Sequence, residues 1–367
     1  MAGTLAGVRI VEIAGIGPGP FCGMMLADHG AEVIRIERPD QPADAGDPLL
    51  RSRTTLALDL KRPAGIAALR KLAASADGLI EGFRPGVMER LGIGPEVLIG
   101  DNPRLVYGRM TGWGQTGPRA GEPGHDIDFL ALSGTLSLLG PAGGKPQPPI
   151  NLVGDFGGGG MMLAFGMVAA ILQARQTGIG QVIDCAMTEG AALLASMIWG
   201  FRAAGRWPGP RGANLLDGGA PFYDTYETAD GRYVAVGAIE PAFYAELRAV
   251  MGLDDPAWDA QFAPEGWPAL KAELTRRFRT LSRDEWCAAF AGREACVVPV
   301  LDMDEAPGDA HHRARGAFVS VDGVVQPAPA PRCSVSDTVA PRPPEPADAE
   351  ALLREVGCTA AEIAALR

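Results

Sequence analysis

The chain has 367 residues, of which 47% are hydrophobic and 21% are charged. This length and composition predict a soluble globular protein with room for two domains, and they exclude a disordered chain. The net charge of −11 argues against a general nucleic-acid-binding surface, although a few clustered arginines can still bind an anionic ligand on an acidic protein.

The cysteines and the N-terminus bear on the cellular compartment. Six cysteines are scattered along the chain without a CxxC pair, which is typical of reduced thiols rather than of disulfides or a zinc site. The N-terminal segment lacks a basic region followed by an uninterrupted apolar run, so no signal peptide is predicted. The most apolar stretch, 161–172, is too short to cross a bilayer and contains Gly166. We therefore expect a cytoplasmic protein without a membrane partner or a metal.

The first third of the chain alternates predicted strands with predicted helices. Strands are predicted at 8–13, 31–37, 54–60, 77–82 and 104–110, and helices at 21–29 and from residue 63 to about residue 76. This order predicts an α/β fold, in which a parallel, doubly wound sheet forms a large Rossmann-like domain.

The remainder of the chain predicts a second, smaller domain. Helices are predicted at 126–139 and 160–175, and a strand at 181–185. An Asp230-Gly231 turn between 222–228 and 233–236 predicts a hairpin, followed by helices at 241–251 and 267–281. We predict a large domain from 1–185 and 330–367, a small α+β domain from 220–315, and long linkers at 186–219 and 316–329. A final helix at 348–366 is expected to pack on the large domain.

A Gly- and Pro-rich turn, GIGPGP at 15–20, follows the first predicted strand. With Glu37 at the end of the second strand, it is similar to the fingerprint of NAD-binding proteins. However, the third glycine falls one position early, and Pro18 and Pro20 lack the backbone N–H groups that would bind a pyrophosphate. Three interpretations stay open: a structural turn, which is favoured, a place in another ligand's site, and an NAD-dependent dehydrogenase.

His125 is the one histidine whose surroundings predict chemistry. It precedes Asp126 at the start of a predicted apolar helix. The N–H groups and the dipole at that helix start would stabilise an enolate oxygen formed beside the imidazole. The alternative is an incidental histidine at a helix N-terminus that Asp126 or Asp128 caps.

Asp155 and Glu240 are the candidate carboxylates. Asp155 lies just before glycines 157–160 and a predicted helix. It could serve as a helix cap, but four glycines are costly for a cap because each one raises the entropy lost on folding. They favour a place where a ligand approaches the backbone closely, and hence a catalytic Asp155. Glu240, between a predicted strand and Pro241, would by itself be a cap or a surface charge.

Four sequence runs together resemble a known family. They are MTGWGQTGP at 110–118, GHDIDF at 124–129, NLVGDFGGGG at 151–160 and DGRYVAVGAIEPAFY at 230–244. They resemble the family III coenzyme A transferases of the CaiB/BaiF superfamily and, within it, the α-methylacyl-CoA racemases. The resemblance covers nearly the whole chain. It implies an acyl-CoA substrate from fatty acid metabolism and an interlocked homodimer, in which the small domain of one subunit faces the large domain of the other.

The resemblance also implies residue roles. His125 and Asp155 would be the two acid/base residues that interconvert (2R)- and (2S)-2-methylacyl-CoA through an enolate, with no cofactor. Glu240 would hydrogen-bond His125 and fix its tautomer. Substrate binding is implied for a larger set, whose basic members would neutralise the phosphates of coenzyme A: Arg38, Leu58, Asp59, Leu60, Lys61, Gly82, Phe83, Arg84, Arg90, Gly124, Asp126, Ile127, Asp128 and Phe129.

Two rival functions stay open. Transferases of this family use a carboxylate nucleophile that aligns with Asp126, so coenzyme A transfer is the main alternative. His125 before Asp126, and Ala220 where many transferases carry a glutamine, favour the racemase. A coenzyme A-binding protein without catalysis is disfavoured because the residues that match both bases are present.

Overall fold

The computed structural model describes residues 3–42 and 44–366. The described residues of Met1–Ser133, Ile150–Leu194 and His311–Arg367 form one compact unit, and those of Gly134–Pro149 and Ala195–Ala310 form a second. The predicted domain limits differ from these units at residues 134–149, which group with the second unit, and at residues 311–315, which group with the first.

The helices and strands alternate as predicted in the first third of the chain. The strands are β1 Arg9–Ile13, β2 Glu32–Glu37, β3 Thr54–Ala57, β4 Gly78–Glu81, β5 Val106–Thr111, β6 Val182–Ala186, β7 Tyr223–Glu227, β8 Tyr233–Gly237, β9 Val297–Pro299, β10 Phe318–Val321, β11 Val324–Pro327 and β12 Glu345–Pro346. The α-helices are α1 Pro18–Asp28, α2 Pro63–Ala74, α3 Val87–Arg90, α4 Pro95–Asp101, α5 Asp126–Ser133, α6 Met162–Thr177, α7 Met187–Leu194, α8 Ser196–Ala203, α9 Pro241–Met251, α10 Trp267–Phe278, α11 Arg283–Phe290, α12 Ala310–Arg315, α13 Ala349–Glu355 and α14 Ala360–Ala364.

Seven strands of the first unit form one sheet in the order β12-β3-β2-β1-β4-β5-β6. Every neighbouring pair is parallel, so the predicted α/β fold with a parallel, doubly wound sheet is confirmed. The chain leaves β1 toward β2 on one side and returns to β4 on the other. A crevice therefore forms at the carboxyl ends of β1 and β4, where open sheets of this kind bind ligands.

The sheet has a hydrophobic core on each face. Adjacent residues of β1 point to opposite faces, so Ile10 packs with Leu163 and Met167 of α6, while Val11 packs with Leu69 of α2. Strands buried on both faces explain the near-continuous apolar runs of the sequence.

The C-terminal segment packs on the first unit, as expected, but it forms two helices. Leu353 of α13 and Ile363 of α14 are buried in the core shared with α2. The prediction of one helix at 348–366 is wrong because Gly357, with φ +85°, ends α13. The predicted helix at 126–139 is likewise too long, since Gly134, with φ +83°, ends it and a 3₁₀ turn at Thr135–Leu138 follows.

The helix predicted at 160–175 begins eight residues earlier, at Leu152, as a π-helix over Leu152–Met161 that continues into α6. The joined segment Leu152–Thr177 has 26 residues, and its most apolar stretch has a mean hydropathy of 1.5. By length and composition it could cross a membrane, which corrects the expectation that this stretch is too short. However, 44% of that stretch is buried in the protein, and the core helix of a soluble protein passes the same test.

The second unit is α+β, as predicted. Its strands β7, β8 and β9 form an antiparallel sheet, and the predicted hairpin joins β7 to β8. Its core is rich in aromatic residues. Trp267 and Phe278 of α10 pack in one cluster with Phe222, Trp258 and residues of α9.

Candidate active site

A cleft of about 670 Å³ lies at the carboxyl ends of β1, β4 and β5. The loops that follow these strands form its walls, so the cleft occupies the crevice that the strand order creates. Both predicted bases line it, together with Asn151 and Met187. Among the described residues, no cluster of three or more His, Cys, Asp or Glu side chains could hold a metal ion.

His125 lies immediately before α5, with its side chain exposed. Its backbone N–H donates to Asp128 Oδ2 at 2.9 Å, and the Asp128 N–H donates to the His125 carbonyl at 2.9 Å. These two hydrogen bonds satisfy backbone groups at the N-terminus of α5, so Asp128 caps this helix. Because the cap uses only the His125 backbone, the imidazole remains available to the cleft. The capping interpretation and the catalytic one are therefore compatible.

Asp155 lies half-buried in the π-helical segment, a rare conformation that often occurs at functional sites. Its Oδ2 accepts a hydrogen bond from Asn151 Nδ2 at 3.2 Å. Burial is the main cause that raises the pKa of Asp155, and the negative charge of Asp126 adds to it. The Asn151 hydrogen bond and the positive charge of His125 act in the opposite direction. The raised pKa suits a carboxyl group that must also donate a proton.

Asp126 is buried, with 8% of its surface exposed, and does not line the cleft. Its Oδ1 accepts a hydrogen bond from the backbone N–H of Asp155 at 2.7 Å. Its Oδ2 is buried without a hydrogen-bond partner among the described residues. Asp126 thus fixes the backbone of Asp155 and acts electrostatically on the Asp155 side chain.

The glycines around Asp155 are explained by helix packing. A Cβ on Gly158 would lie 2.6 Å from the backbone nitrogen of Ala191 in α7, and one on Gly160 would lie 2.7 Å from the carbonyl oxygen of Pro18 in α1. Real Cβ atoms do not approach so closely. The expectation that these glycines admit a ligand is therefore wrong at both positions, because α1 and α7 occupy that space.

The N-terminal loop (Gly15–Pro20) also lines the cleft. Gly17 adopts φ +66°, and a Cβ there would lie 3.2 Å from Asp155 Oδ2. Glu37 is buried and accepts a hydrogen bond from Arg35 Nε at 3.3 Å. An NAD-binding protein would need that carboxylate for a ribose. The loop therefore belongs to the lining of a site beside Asp155. The NAD interpretation is disfavoured because buried Glu37 pairs with Arg35 instead of being available to a ribose.

The predicted substrate-binding residues fall into two groups. Gly82, Phe83, Arg84, Gly124 and Phe129 line the cleft. The others lie outside its lining, and their binding roles stay predictions: Arg38, Leu58, Asp59, Leu60, Lys61, Arg90, Asp126, Ile127 and Asp128.

Arg38 and Leu58 directly follow the paired strands β2 and β3, so they lie at the same edge of the sheet as the cleft. Leu58 packs into the core, whereas Arg38 and Lys61 are exposed. Arg38 forms an ion pair with Asp40, with its guanidinium nitrogen 2.8 Å from Oδ2.

Sequence reasoning missed Glu81, which ends β4 and lines the cleft. Its Oε2 accepts the backbone N–H of Phe83 at 2.7 Å and its Oε1 accepts Arg109 Nε at 3.0 Å. Burial raises the pKa of Glu81 to about 6, although both hydrogen bonds act to lower it. A carboxylate at the end of a buried strand, just before Gly82, is the signal that could have identified it.

Glu240 belongs to the second unit, where it is exposed at the start of α9 and its side chain does not cap that helix. Its predicted hydrogen bond to His125 therefore stays a prediction.

Residues 5–349 match CoA-transferase family III. The alpha-methylacyl-CoA racemase of Mus musculus is 48% identical over 98% of this chain and 95% of its own length. The corresponding racemase of Homo sapiens is 47% identical over 89% of this chain and 86% of its own length. A crystal structure of a CAIB/BAIF family protein from Brucella suis superposes with a TM-score of 0.82 at 26% identity, covering 97% of this chain and all of that one. The chain belongs to CoA-transferase family III.

Proposed function

We propose that this member of CoA-transferase family III is a racemase, which interconverts (2R)- and (2S)-2-methylacyl-CoA thioesters by 1,1-proton transfer. His125 and Asp155 are the two acid/base residues. The observation that carries the proposal is that both line one cleft while Asp126 does not. The relatives named as alpha-methylacyl-CoA racemases support the same reaction.

The reaction needs two proton-transfer groups because the intermediate is planar. Neutral His125 removes the α-proton from one epimer, and the C–H electron pair passes into the thioester as an enolate. Protonated Asp155 then donates its proton to the opposite face of the same carbon. The reverse reaction starts from protonated His125 and ionised Asp155. No electrons leave the substrate, so the proposal calls for no redox cofactor.

The first turn of α5 would stabilise the enolate. The N–H groups that begin an α-helix have no acceptor within the helix, and their dipoles favour negative charge. The turn at Asp126 and Ile127 directly follows His125, so an oxygen placed there lies next to the base that generates it. Preorganised donors of this kind act on charge that develops in the transition state.

The proposal includes a homodimer that supplies Glu240 to His125. Its support is an apolar face of α6, where Phe165 is 74% exposed and Leu172 is 59% exposed. Val168, which shares this face by its helical spacing, is also exposed. A surface with this many exposed apolar side chains is typical of a protein interface.

Coenzyme A transfer is the rival reaction, and it would require Asp126 to attack a thioester. Asp126 is buried, and one of its carboxylate oxygens already accepts the Asp155 amide. An attacking carboxylate must reach its electrophile from the cleft, so these contacts argue against transfer.

Proton exchange and coenzyme A transfer can be distinguished in one experiment. The protein is incubated with (2R)-2-methylacyl-CoA in deuterium oxide without a second acid, and NMR follows C2. The racemase proposal expects deuterium at C2 and the appearance of both epimers. No exchange, with coenzyme A moving to an added carboxylic acid, would overturn it in favour of the transferase.

Asp126→Asn is the variant that separates racemisation from coenzyme A transfer. Asparagine keeps an oxygen that can accept the Asp155 amide but is not a nucleophile of the kind that transfer requires. We expect racemisation to stay within about tenfold of the wild type. A wild type that transfers coenzyme A without racemising its substrate, and loses this transfer in Asp126→Asn, would favour the transferase.

A further inference from the structure

Three buried charged side chains lie beneath the N-terminal loop. Glu12 of β1 and Arg53 are fully buried, and Arg35 of β2 is 6% exposed. Glu12 accepts a hydrogen bond from Arg53 Nε at 2.9 Å through one oxygen and a hydrogen bond from Arg35 through the other. One carboxylate therefore pairs with two guanidinium groups in a place without solvent, where removing a partner is costly.

One further guanidinium nitrogen of each arginine binds an end of the loop. Arg53 donates to the carbonyl of Pro20 at 2.5 Å, and Arg35 donates to the carbonyl of Gly15 at 3.3 Å. Helix α1 packs directly on this network, because a Cβ on Gly23 would lie 2.6 Å from a guanidinium nitrogen of Arg53. Both ends of the loop are thus held from below by charge-assisted hydrogen bonds.

The loop and the first turns of α1 in turn pack against the segment that carries Asp155. A Cβ on Gly17 would lie 3.2 Å from Asp155 Oδ2. The ring of Phe21 stacks on that of Phe156, the neighbour of Asp155, with ring centroids 4.8 Å apart. The loop therefore forms the wall of the cleft at Asp155 and contributes to the burial of its carboxyl group.

We propose that Arg53 is a positioning residue for Asp155. With Arg35 and Glu12, it fixes the N-terminal loop, and the loop keeps the Asp155 carboxyl in its proton-transfer position. This inference rests on the proposed function, because it concerns one of the two proton transfers. His125 lies before α5, and the side-chain hydrogen bonds of Arg53 go to Glu12, Arg51 and Pro20 rather than to that segment.

The guanidinium shape is essential to the role. Arg53 donates in three directions, from Nε to Glu12, from one terminal nitrogen to Pro20 and from the other to the Arg51 carbonyl at 2.9 Å. A lysine ammonium is a point charge on a flexible stem and does not reproduce this planar arrangement. Arg53→Lys therefore retains a positive charge for Glu12 while releasing the loop.

The test compares the two epimers. Wild type and Arg53→Lys are incubated with each epimer in deuterium oxide, and deuterium wash-in without inversion is measured. The epimer served by Asp155 is identified as the one whose wash-in is lost in Asp155→Asn. A displacement of the carboxyl by about 1 Å costs about 100-fold in rate. We expect wash-in from that epimer to fall by about 10- to 100-fold, with the other epimer changed by less than about threefold and KM nearly unchanged.

Leu69→Ala is the control for a general loss of stability. Leu69 is fully buried in the core between the sheet and α2, so its truncation destabilises the same unit and is expected to leave the ratio of the two wash-in rates unchanged. Equal slowing of both epimers in Arg53→Lys, as in this control, overturns the positioning role and leaves the proposed function intact. No exchange by the wild type overturns the proposed function itself.

Arg35→Lys keeps the test decisive if Arg53→Lys does not fold. It releases only the Gly15 end of the loop, so a smaller selective loss of about 2- to 10-fold is expected for the epimer served by Asp155. Equal slowing of both epimers in this variant also overturns the role.

Discussion

Replacing Gly158 with alanine tests how closely the Asp155 segment depends on its packing. The new Cβ would lie 2.6 Å from the Ala191 nitrogen, whereas ordinary contacts begin near 3.4 Å. The neighbouring atom is backbone, so relief requires the π-helical segment or α7 to move by about 0.8 Å, which costs roughly 1–3 kcal/mol of unfolding free energy. Because Asp155 lies in the same segment, a shift of that size lowers kcat by about 10- to 100-fold.

Gly166→Ala is the matched control in the same continuous helix. Its Cβ would meet only Ile183, at 3.5 Å, an ordinary contact distance. Alanine is a better helix former than glycine, so this variant is expected to gain about 0.5–1 kcal/mol. Denaturant unfolding and steady-state kinetics measure both variants. A Gly158→Ala variant as stable and as active as Gly166→Ala would show that Gly158 is not constrained by its contact with α7.

Three further predictions concern charge and assembly. Asp126→Asn removes a negative charge that raises the pKa of Asp155, so the acid limb of kcat/KM should move to lower pH for the epimer that Asp155 deprotonates. Asp155→Asn should raise the free energy of unfolding at pH 7 by about 0.5–2 kcal/mol, because it removes a carboxylate whose charged form burial disfavours. Phe165→Glu places a charge on the proposed dimer surface and should shift light-scattering masses from dimer to monomer, with loss of activity.

The predictions for Asp155→Asn and Asp126→Asn both depend on the raised pKa of Asp155. Burial holds the pKa of Asp155 above its unfolded value, so its ionised form destabilises the fold at neutral pH. This cost disappears as the pH falls through the raised pKa toward the usual value near 3.9. The gain from Asp155→Asn should shrink over the same range. A constant gain, or an unmoved acid limb in Asp126→Asn, would contradict the electrostatic account.

The parallel sheet, and the edge of it where the cleft lies, could be predicted from the sequence because they follow from local sequence patterns. Short apolar runs alternate with helices that begin at prolines, such as Pro63 and Pro241, and both helices begin where predicted. The carboxyl ends of parallel strands share one edge, so the predicted Gly82–Arg84 segment and His125 meet in one cleft. Helix ends at Gly134 and Gly357 were missed, because a glycine inside a helical pattern does not by itself reveal a positive φ.

Long-range packing accounts for what the sequence could not predict. The glycines after Asp155 were expected to admit a ligand, but Gly158 accommodates Ala191 of α7, which lies more than 30 residues away in sequence. The Glu12–Arg53 pair joins residues that lie 41 positions apart in sequence and are both fully buried. No local pattern indicates that two such charges are fully buried together. The position of Glu240 relative to His125 stays a prediction from the family resemblance.

The most direct test of the two-base account is deuterium wash-in by His125→Asn and Asp155→Asn, each given each epimer separately in deuterium oxide. Each variant should lose epimerisation by about 10²- to 10⁴-fold. Each should still exchange the α-proton of one epimer, and the two variants should retain opposite epimers. Retention of the same epimer by both variants, or epimerisation at the wild-type rate by either one, would contradict the assignment of one base to each face.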